Sequence, residues 1–328
     1  MENFLIQLEI SFNSTAPFFL IMFLGWFLVK RGIVGDKFIK GTNKLVFNVL
    51  FPISLFMSIF QADLEYAFDP ALVGYYVVLG VFFYILCWFV CAKFLQKWQV
   101  GPFVQAVNRS NYIVIAMAIL AWLIGEDALP KVALMVPFVV TVNNVLTAVV
   151  FLVSGMKEGR SSASKIKHVL LGVVKTPMVI AVALGVVANF AASATGFSMP
   201  LFVSRAAVSL SDMASPAVLL AVGGVLSIDR VRRNLRIAMM ATFLKNIIHP
   251  LAFIVPAVLL GFRGTELAII SMIGLAPTGA MTYAVAVEMG ENNEAAGDLA
   301  AGCLVLSNSL SLFTIVPALT ILRVLELF

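Results

Sequence analysis

The chain is short of charge. Only 12% of its 328 residues are Asp, Glu, Lys or Arg, roughly half of what a soluble domain carries. The longest clearly polar stretch is residues 156–175, so there is no room for a water-soluble domain of any size. Cysteine is scarce as well. Cys87, Cys91 and Cys303 all lie in apolar runs, which excludes a disulfide framework; the four-residue spacing of the first two puts them on one helix face as small core residues. No Lys or Arg precedes Lys30, and the start carries only Glu2 and Glu9. A cleavable signal peptide wants a basic leading segment, so the first apolar run reads as a retained span. The phosphate-binding pattern GxxxxGK[ST] is missing, and so are the HExxH, GxGD and GxSG patterns of intramembrane enzymes. Those absences argue against ATP-driven work and against catalysis, and no cofactor or metal is called for.

What fills the chain instead is apolar sequence. It is 61% hydrophobic, with a mean hydropathy of +1.03, and runs near 20 residues recur from end to end. Each is long enough to cross about 30 Å of hydrocarbon as a helix, so the expected class is an all-α polytopic membrane protein resident in the bilayer. Ten segments are expected, at 12–29, 44–60, 71–91, 103–124, 132–154, 177–195, 201–227, 237–261, 266–288 and 298–322. Loops after odd-numbered segments hold Lys30, Arg31, Lys37, Lys40 and Lys44, then Lys93 and Lys97, then five basic residues at 157–175 and four at 230–236. Loops after even-numbered segments hold only Lys131 and Arg263. Basic loops stay in the cytoplasm, which places both termini on the non-cytoplasmic side of the plasma membrane. The net charge of +5 is spread over these short loops and is no sign of a nucleic-acid partner.

The linker 156–175 divides the chain into 1–155 and 176–328, with five segments each. An odd number forces the second half to cross in the opposite sense, which is the condition for inverted repeats. The most informative stretch is IISMIGLAPTGAMTYAVAVEMG at 269–290. It is apolar enough to span, yet Pro277 and Gly279 flank Thr278 in its middle. Proline removes a donor and clashes with the carbonyl four residues earlier, and an open backbone inside hydrocarbon is tolerated only within protein or beside a cavity. A break at Pro277 makes the amides of Thr278, Gly279 and Ala280 a helix N-terminus suited to an anionic group. Polar residues gather in the same region: Asn108, Ser110 and Asn111 in the fourth segment, Thr141, Asn143 and Asn144 in the fifth, Thr282 and Tyr283 in the ninth, Ser307, Asn308, Ser309 and Ser311 in the tenth. Ionisable groups inside spans are costly and call for a reason. Arg109 and Arg205 lie within two turns of the segment starts, where a long side chain can snorkel. Asp212 is placed to pair with Arg205. Lys245 and His249 share a face just before Pro250, for which a structural role is expected. Asp212, Lys245, Glu288 and Asp298 are the groups available to carry protons.

Four stretches resemble the auxin efflux carrier family, which also includes bacterial malonate-type permeases: KLVFNVLFPISLFMSI at 44–59, NRSNYIVIAMAIL at 108–120, SDMASPAVLLAVGGVLS at 211–227, and LAPTGAMTYAVAVEMGENNEAAGDLAAGCLVLSNSLSLFTI at 275–315. The resemblance covers essentially the whole chain. It implies ten transmembrane helices in two inverted five-helix repeats, with the broken fourth and ninth spans crossing. It also implies secondary transport of a small organic anion, such as a malonate- or auxin-like carboxylate, held at that crossing. Asn111 then becomes a polar substrate contact beside Pro277, Thr278, Gly279 and Ala280, with Thr282, Tyr283 and Asn308 as further contacts. The partners expected are the anion, the lipid bilayer and a second copy in a homodimer. The family's Gly-x-Pro element after the fourth-span Asn is replaced here by Ala116 and Ala118, so the ninth span is expected to supply more of the site than the fourth. The rival transport reading is a sodium-coupled bile-acid-type symporter. Rivals from other classes are a non-transporting membrane sensor and an intramembrane enzyme.

Overall fold

A computed structural model describes residues 2–64, 68–125, 129–154, 177–225, 234–279, 281–289 and 293–328. The linker 156–175 lies outside them. The described residues are almost wholly helical: α1 (Glu2–Lys30), α2 (Asp36–Leu45), α3 (Phe51–Phe60), α4 (Pro70–Cys91), α5 (Lys97–Asn108), α6 (Met117–Ile124), α7 (Leu129–Val153), α8 (Pro177–Thr195), α9 (Leu201–Val225), α10 (Leu235–Phe243), α11 (His249–Leu259), α12 (Gly264–Leu275), α13 (Met281–Met289), α14 (Asn293–Leu310) and α15 (Leu312–Val324). Each apolar segment read from the sequence falls on one of these helices or on a consecutive pair. Helix α4, residues 129–151 and residues 235–259 are each continuous, long and apolar enough to cross a membrane. Residues 295–310 and 312–324 qualify together, bent by 47°. The protein is therefore a multi-pass helical membrane protein.

Proline explains much of the interruption. One π-helical turn, Val46–Leu50, leads into α3 with Pro52 in its first turn; another, Leu244–Ile248, leads into α11 with Pro250 in the same place. A proline has no donor for the carbonyl four residues back, and widening the preceding turn lets the chain continue around that missing bond.

The helices pack in two groups that do not follow the two halves of the chain. Helices α1, α3, α8 and α9 pack on one another, while α4, α5, α7 and α10–α14 form the second set; α15 lies on α1, and α7 also meets α3 and α8. Helices α1 and α9 come together through glycine. A Cβ on Gly25 would lie 2.0 Å from the Leu220 carbonyl oxygen, and one on Gly223 would lie 1.8 Å from that of Met22. Two backbones in contact need residues without side chains, the usual device where lipid supplies no hydrophobic drive between helices. Asn189 on α8 serves α3 differently. Its Nδ2 lies 3.2, 3.0 and 2.8 Å from the carbonyls of Ile59, Phe60 and Ala62, covering acceptors that a helix end leaves open. At the chain's end, Arg323 donates to the Leu123 carbonyl on α6 at 3.0 Å, and the Gly264 amide at the start of α12 donates to the Leu327 carbonyl at 2.9 Å.

Gly223→Ala and Gly25→Ala each force α1 and α9 apart. Overpacking of this kind costs about 1–3 kcal/mol or more, so both variants should melt at lower temperature in detergent, followed by size-exclusion after heating. Gly74→Ala, where nothing lies within 4 Å of the added Cβ, should leave the melting temperature unchanged or raise it.

Candidate functional site

The site is built where two helices break beside each other. Helix α12 ends at Leu275, Ala276 turns to extended backbone, and the chain re-enters helix at α13. This is the break that Pro277 encodes. Helix α5 ends at Asn108 and Arg109 is extended at φ −88°, ψ 95°. After Ser110 and Asn111 the chain resumes as a π-helical turn, Tyr112–Ala116. Ser110 and Thr278 form an antiparallel bridge: the Asn111 amide donates to the Pro277 carbonyl at 2.7 Å, and the Gly279 amide donates to the Arg109 carbonyl at 2.8 Å. Each break thus satisfies backbone groups that the other leaves open, as a buried backbone must. A Cβ on Gly279 would stand 3.3 Å from the Ser110 carbonyl oxygen, so glycine keeps the approach free of crowding. The fourth segment is broken even though Ala116 and Ala118 favour helix, because its partner supplies the missing hydrogen bonds.

Thr278 is tied down completely. Its amide donates to Ser307 Oγ at 3.0 Å and its hydroxyl to the Ala106 carbonyl at 2.8 Å; its carbonyl accepts from Asn308 Nδ2 at 3.0 Å. Ser307 Oγ in turn donates to Asn246 Oδ1 at 2.7 Å, and Asn246 Nδ2 donates to the Ser307 carbonyl at 2.9 Å. The amides of Thr278 and Gly279 are therefore engaged within the protein. The sequence suggested that these amides face an anion; in this conformation Ser307 and the Arg109 carbonyl take them instead. Ala280 lies outside the described residues.

What faces the crossing without a partner is side chain. Among the described residues, the fully buried Gln105 has neither its carbonyl nor its amide nitrogen bonded, and the buried Asn111 Nδ2, Thr282 Oγ1, Asn308 Oδ1 and Arg109 Nη1 find no partner either. Native interiors leave few such groups. Arg109 does not snorkel. Helix α5 begins at Lys97, twelve residues earlier and about 18 Å along the axis, and the side chain is only 8% exposed. It donates from Nη2 to Asn144 Oδ1 at 2.9 Å. Lys245, at 0% exposure, donates to Ser110 Oγ, and its Nζ lies 3.4 Å from His249 Nδ1. Lys245 thus reaches the crossing at Ser110, with His249 behind it. Among the described residues neither Arg109 nor Lys245 makes an ion pair; the salt bridge found joins Lys131 to Glu266 at 2.6 Å.

Two of the other expected groups lie on α9, among the other set of helices. Asp212 and Arg205 are both exposed on α9 and make no ion pair with each other. Asp298 is half-buried on α14, nine residues before Ser307. The side chain of Glu288 is outside the description. Tyr283 is half-buried on α13, next to Thr282. Sequence reasoning missed Gln105 and Asn246; the signal was a lone amide in each apolar run, FVQAV and FLKNII.

Residues 10–316 match the family model described as membrane transport protein. An uncharacterized transporter of Escherichia coli K12, YfdV, is 25% identical over 280 residues, covering 83% of this chain and 86% of that one. An uncharacterized transporter of Methanothermobacter thermautotrophicus is 22% identical over 310 residues, covering 93% and 96%. With a match over nearly its whole length, and the crossing built from two of the four stretches that carried the resemblance, the chain belongs to the membrane transport protein family, the auxin efflux carrier-like group.

Proposed function

We propose that this transporter carries small organic anions by alternating access, without ATP, and that Arg109 and Lys245 at the crossing hold the substrate's charge. The observation that carries this reading is two buried basic side chains at the crossing, Lys245 bonded to Ser110 and Arg109 bonded to Asn144, with no acidic partner among the described residues. A charge left unpaired in a water-poor interior costs several kcal/mol. A carboxylate arriving at the crossing supplies the missing sign and accepts charge-assisted bonds from the guanidinium and the ammonium. The orphaned Gln105, Asn111, Thr282 and Asn308 groups suit the rest of a polar substrate. Malonate- or auxin-like acids fit this chemistry.

The architecture in this reading is ten spans in two inverted five-span repeats, 1–155 and 176–328. It sits in the plasma membrane with both termini outside, as the distribution of basic loops favours. The division of helices into two packed groups supports a movement of the crossing group against α1, α3, α8 and α9. A broken helix pair at the centre gives a fixed site that such rocking exposes alternately to the two sides.

Uptake by proteoliposomes of acetate, malonate, succinate and indole-3-acetate, with and without sodium, tests the reading. At least one anion should enter above protein-free background, and failure of all of them would overturn the proposal. Arg109→Gln and Lys245→Gln should each lower that uptake about tenfold to a hundredfold. This follows from the 1.5–3 kcal/mol that a hydrogen bond to a charged group is worth, at 1.4 kcal/mol per factor of ten. Asp212→Asn should leave uptake near the parent level, since Asp212 is exposed on α9 away from the crossing.

A further inference from the structure

We infer that the anion travels with a proton, and that His249 passes this proton between a small cavity beside its ring and Lys245. The inference rests on the anion-transport reading above and adds the coupling ion and its carrier. It starts from one nitrogen with two claimants. His249 Nδ1 lies 3.4 Å from Lys245 Nζ and 3.2 Å from the Gly274 carbonyl. That carbonyl belongs to the last turn of α12. In an unbroken helix it would accept from the amide of residue 278, but the Thr278 amide is given to Ser307. The break thus leaves an acceptor that wants a proton on Nδ1, while a Lys245 ammonium wants the same nitrogen bare. Both cannot be met at once. The position of the proton is thereby tied to the break that forms the substrate site.

His249 also lines a small cavity of about 10 Å³ together with Tyr76 and Gly80 of α4, Asn108 of α5, Asn143 of α7 and Phe253 of α11. That is about the space one water molecule needs, and the polar wall groups are those that would hold it. Every element packed around the ring can be accounted for. Phe83 of α4 stands edge-on at 5.1 Å, Phe253 stacks at 4.5 Å, and α12 offers the Gly274 carbonyl. The titratable or charged groups facing it are Lys245 and Tyr76, with Arg109 at the adjoining break; none of the described lining residues is acidic. Of the carboxylates expected as proton carriers, Asp212 is exposed on α9 and Asp298 lies nine residues before Ser307 on α14, while the Glu288 side chain is outside the description.

The step balances simply. A proton enters the imidazole from the cavity side, leaves from Nδ1 and converts the Lys245 amine to an ammonium. The ammonium holds the carboxylate beside Ser110, and one proton and one negative charge cross together. On the far side the anion departs and the ammonium returns its proton through His249. By linkage, a bound anion strengthens proton binding and a bound proton strengthens anion binding by the same factor.

The test uses the full-length protein in liposomes holding the pH dye pyranine, with malonate as the probe. With the parent protein, malonate entry should acidify the lumen, and an acid pH on the malonate side should raise accumulation severalfold. His249→Gln should retain malonate/malonate counterflow, which needs no net proton movement, while losing both the acidification and the response to the pH gradient; His249→Asn is the second variant. Asp212→Asn and Asp298→Asn should keep the coupling. Malonate entry by the parent protein with no acidification and no pH response would overturn the proton inference while leaving anion transport standing, and that measurement needs no variant to fold. Coupling retained in His249→Gln, or lost in either aspartate variant, would also overturn it. A protein that moves no anion at all would overturn the transport reading and this inference with it.

Discussion

Two backbone hydrogen bonds organise this molecule, Asn111 N–H to the Pro277 carbonyl and Gly279 N–H to the Arg109 carbonyl. They close an antiparallel bridge between helices that are both interrupted in the apolar interior, where an open backbone group has no water to turn to. Each interruption is permitted because the other exists. Remove one and its partner keeps bare carbonyls and amides at a cost of several kcal/mol. The remaining polar contacts of the centre elaborate this bridge: Ser307 and Asn308 grip Thr278 from α14, Asn246 orients Ser307, and Lys245 reaches Ser110.

The crossing is saturated at its backbone and unsaturated at its side chains, and that contrast decides where a ligand acts. In the proposed reading an anion meets no free amide at Thr278 or Gly279, yet it meets a guanidinium nitrogen, three amide side chains and a hydroxyl with no partner among the described residues. The excess is basic. Lys245 donates to Ser110 and Arg109, the residue before that serine, donates to Asn144, with no carboxylate set against either among the described residues. A helix dipole offers roughly half a charge, whereas these two side chains offer whole ones. The scaffold of α1, α3, α8 and α9 meanwhile packs through glycines and a single capping asparagine, leaving buried charge to the other group of helices.

The helices and the ninth-span break were legible in the sequence, for different reasons. Apolar length reports a membrane helix directly, and Pro277 cannot continue one. The fourth-span break was not legible. Nothing between Asn108 and Ala118 forbids a helix, and the interruption is imposed from a distance by Pro277 and Gly279, a tertiary override of local propensity. The fate of the 278 and 279 amides was hidden likewise, because their acceptors lie on α14 and at Arg109. Arg109 read as a snorkelling residue because its hydropathy segment begins six residues after the helix does. Lys245 and His249 shared a face as the four-residue spacing required; only the fold shows that the face points at Ser110. Neutral amides such as Gln105 and Asn246 give a weak signal in a single sequence, since one amide changes the hydropathy of a twenty-residue run very little.

The central claim is that the paired breaks and the two buried cations make an anion site. A structure determined with bromomalonate bound, its bromine located by anomalous scattering, tests this most directly. The account predicts carboxylate density within hydrogen-bond reach of both Arg109 and Lys245, with bromine beside the 110/278 bridge. Bromine found only in the lipid-facing grooves, with Arg109 and Lys245 unchanged and uncontacted, would contradict it.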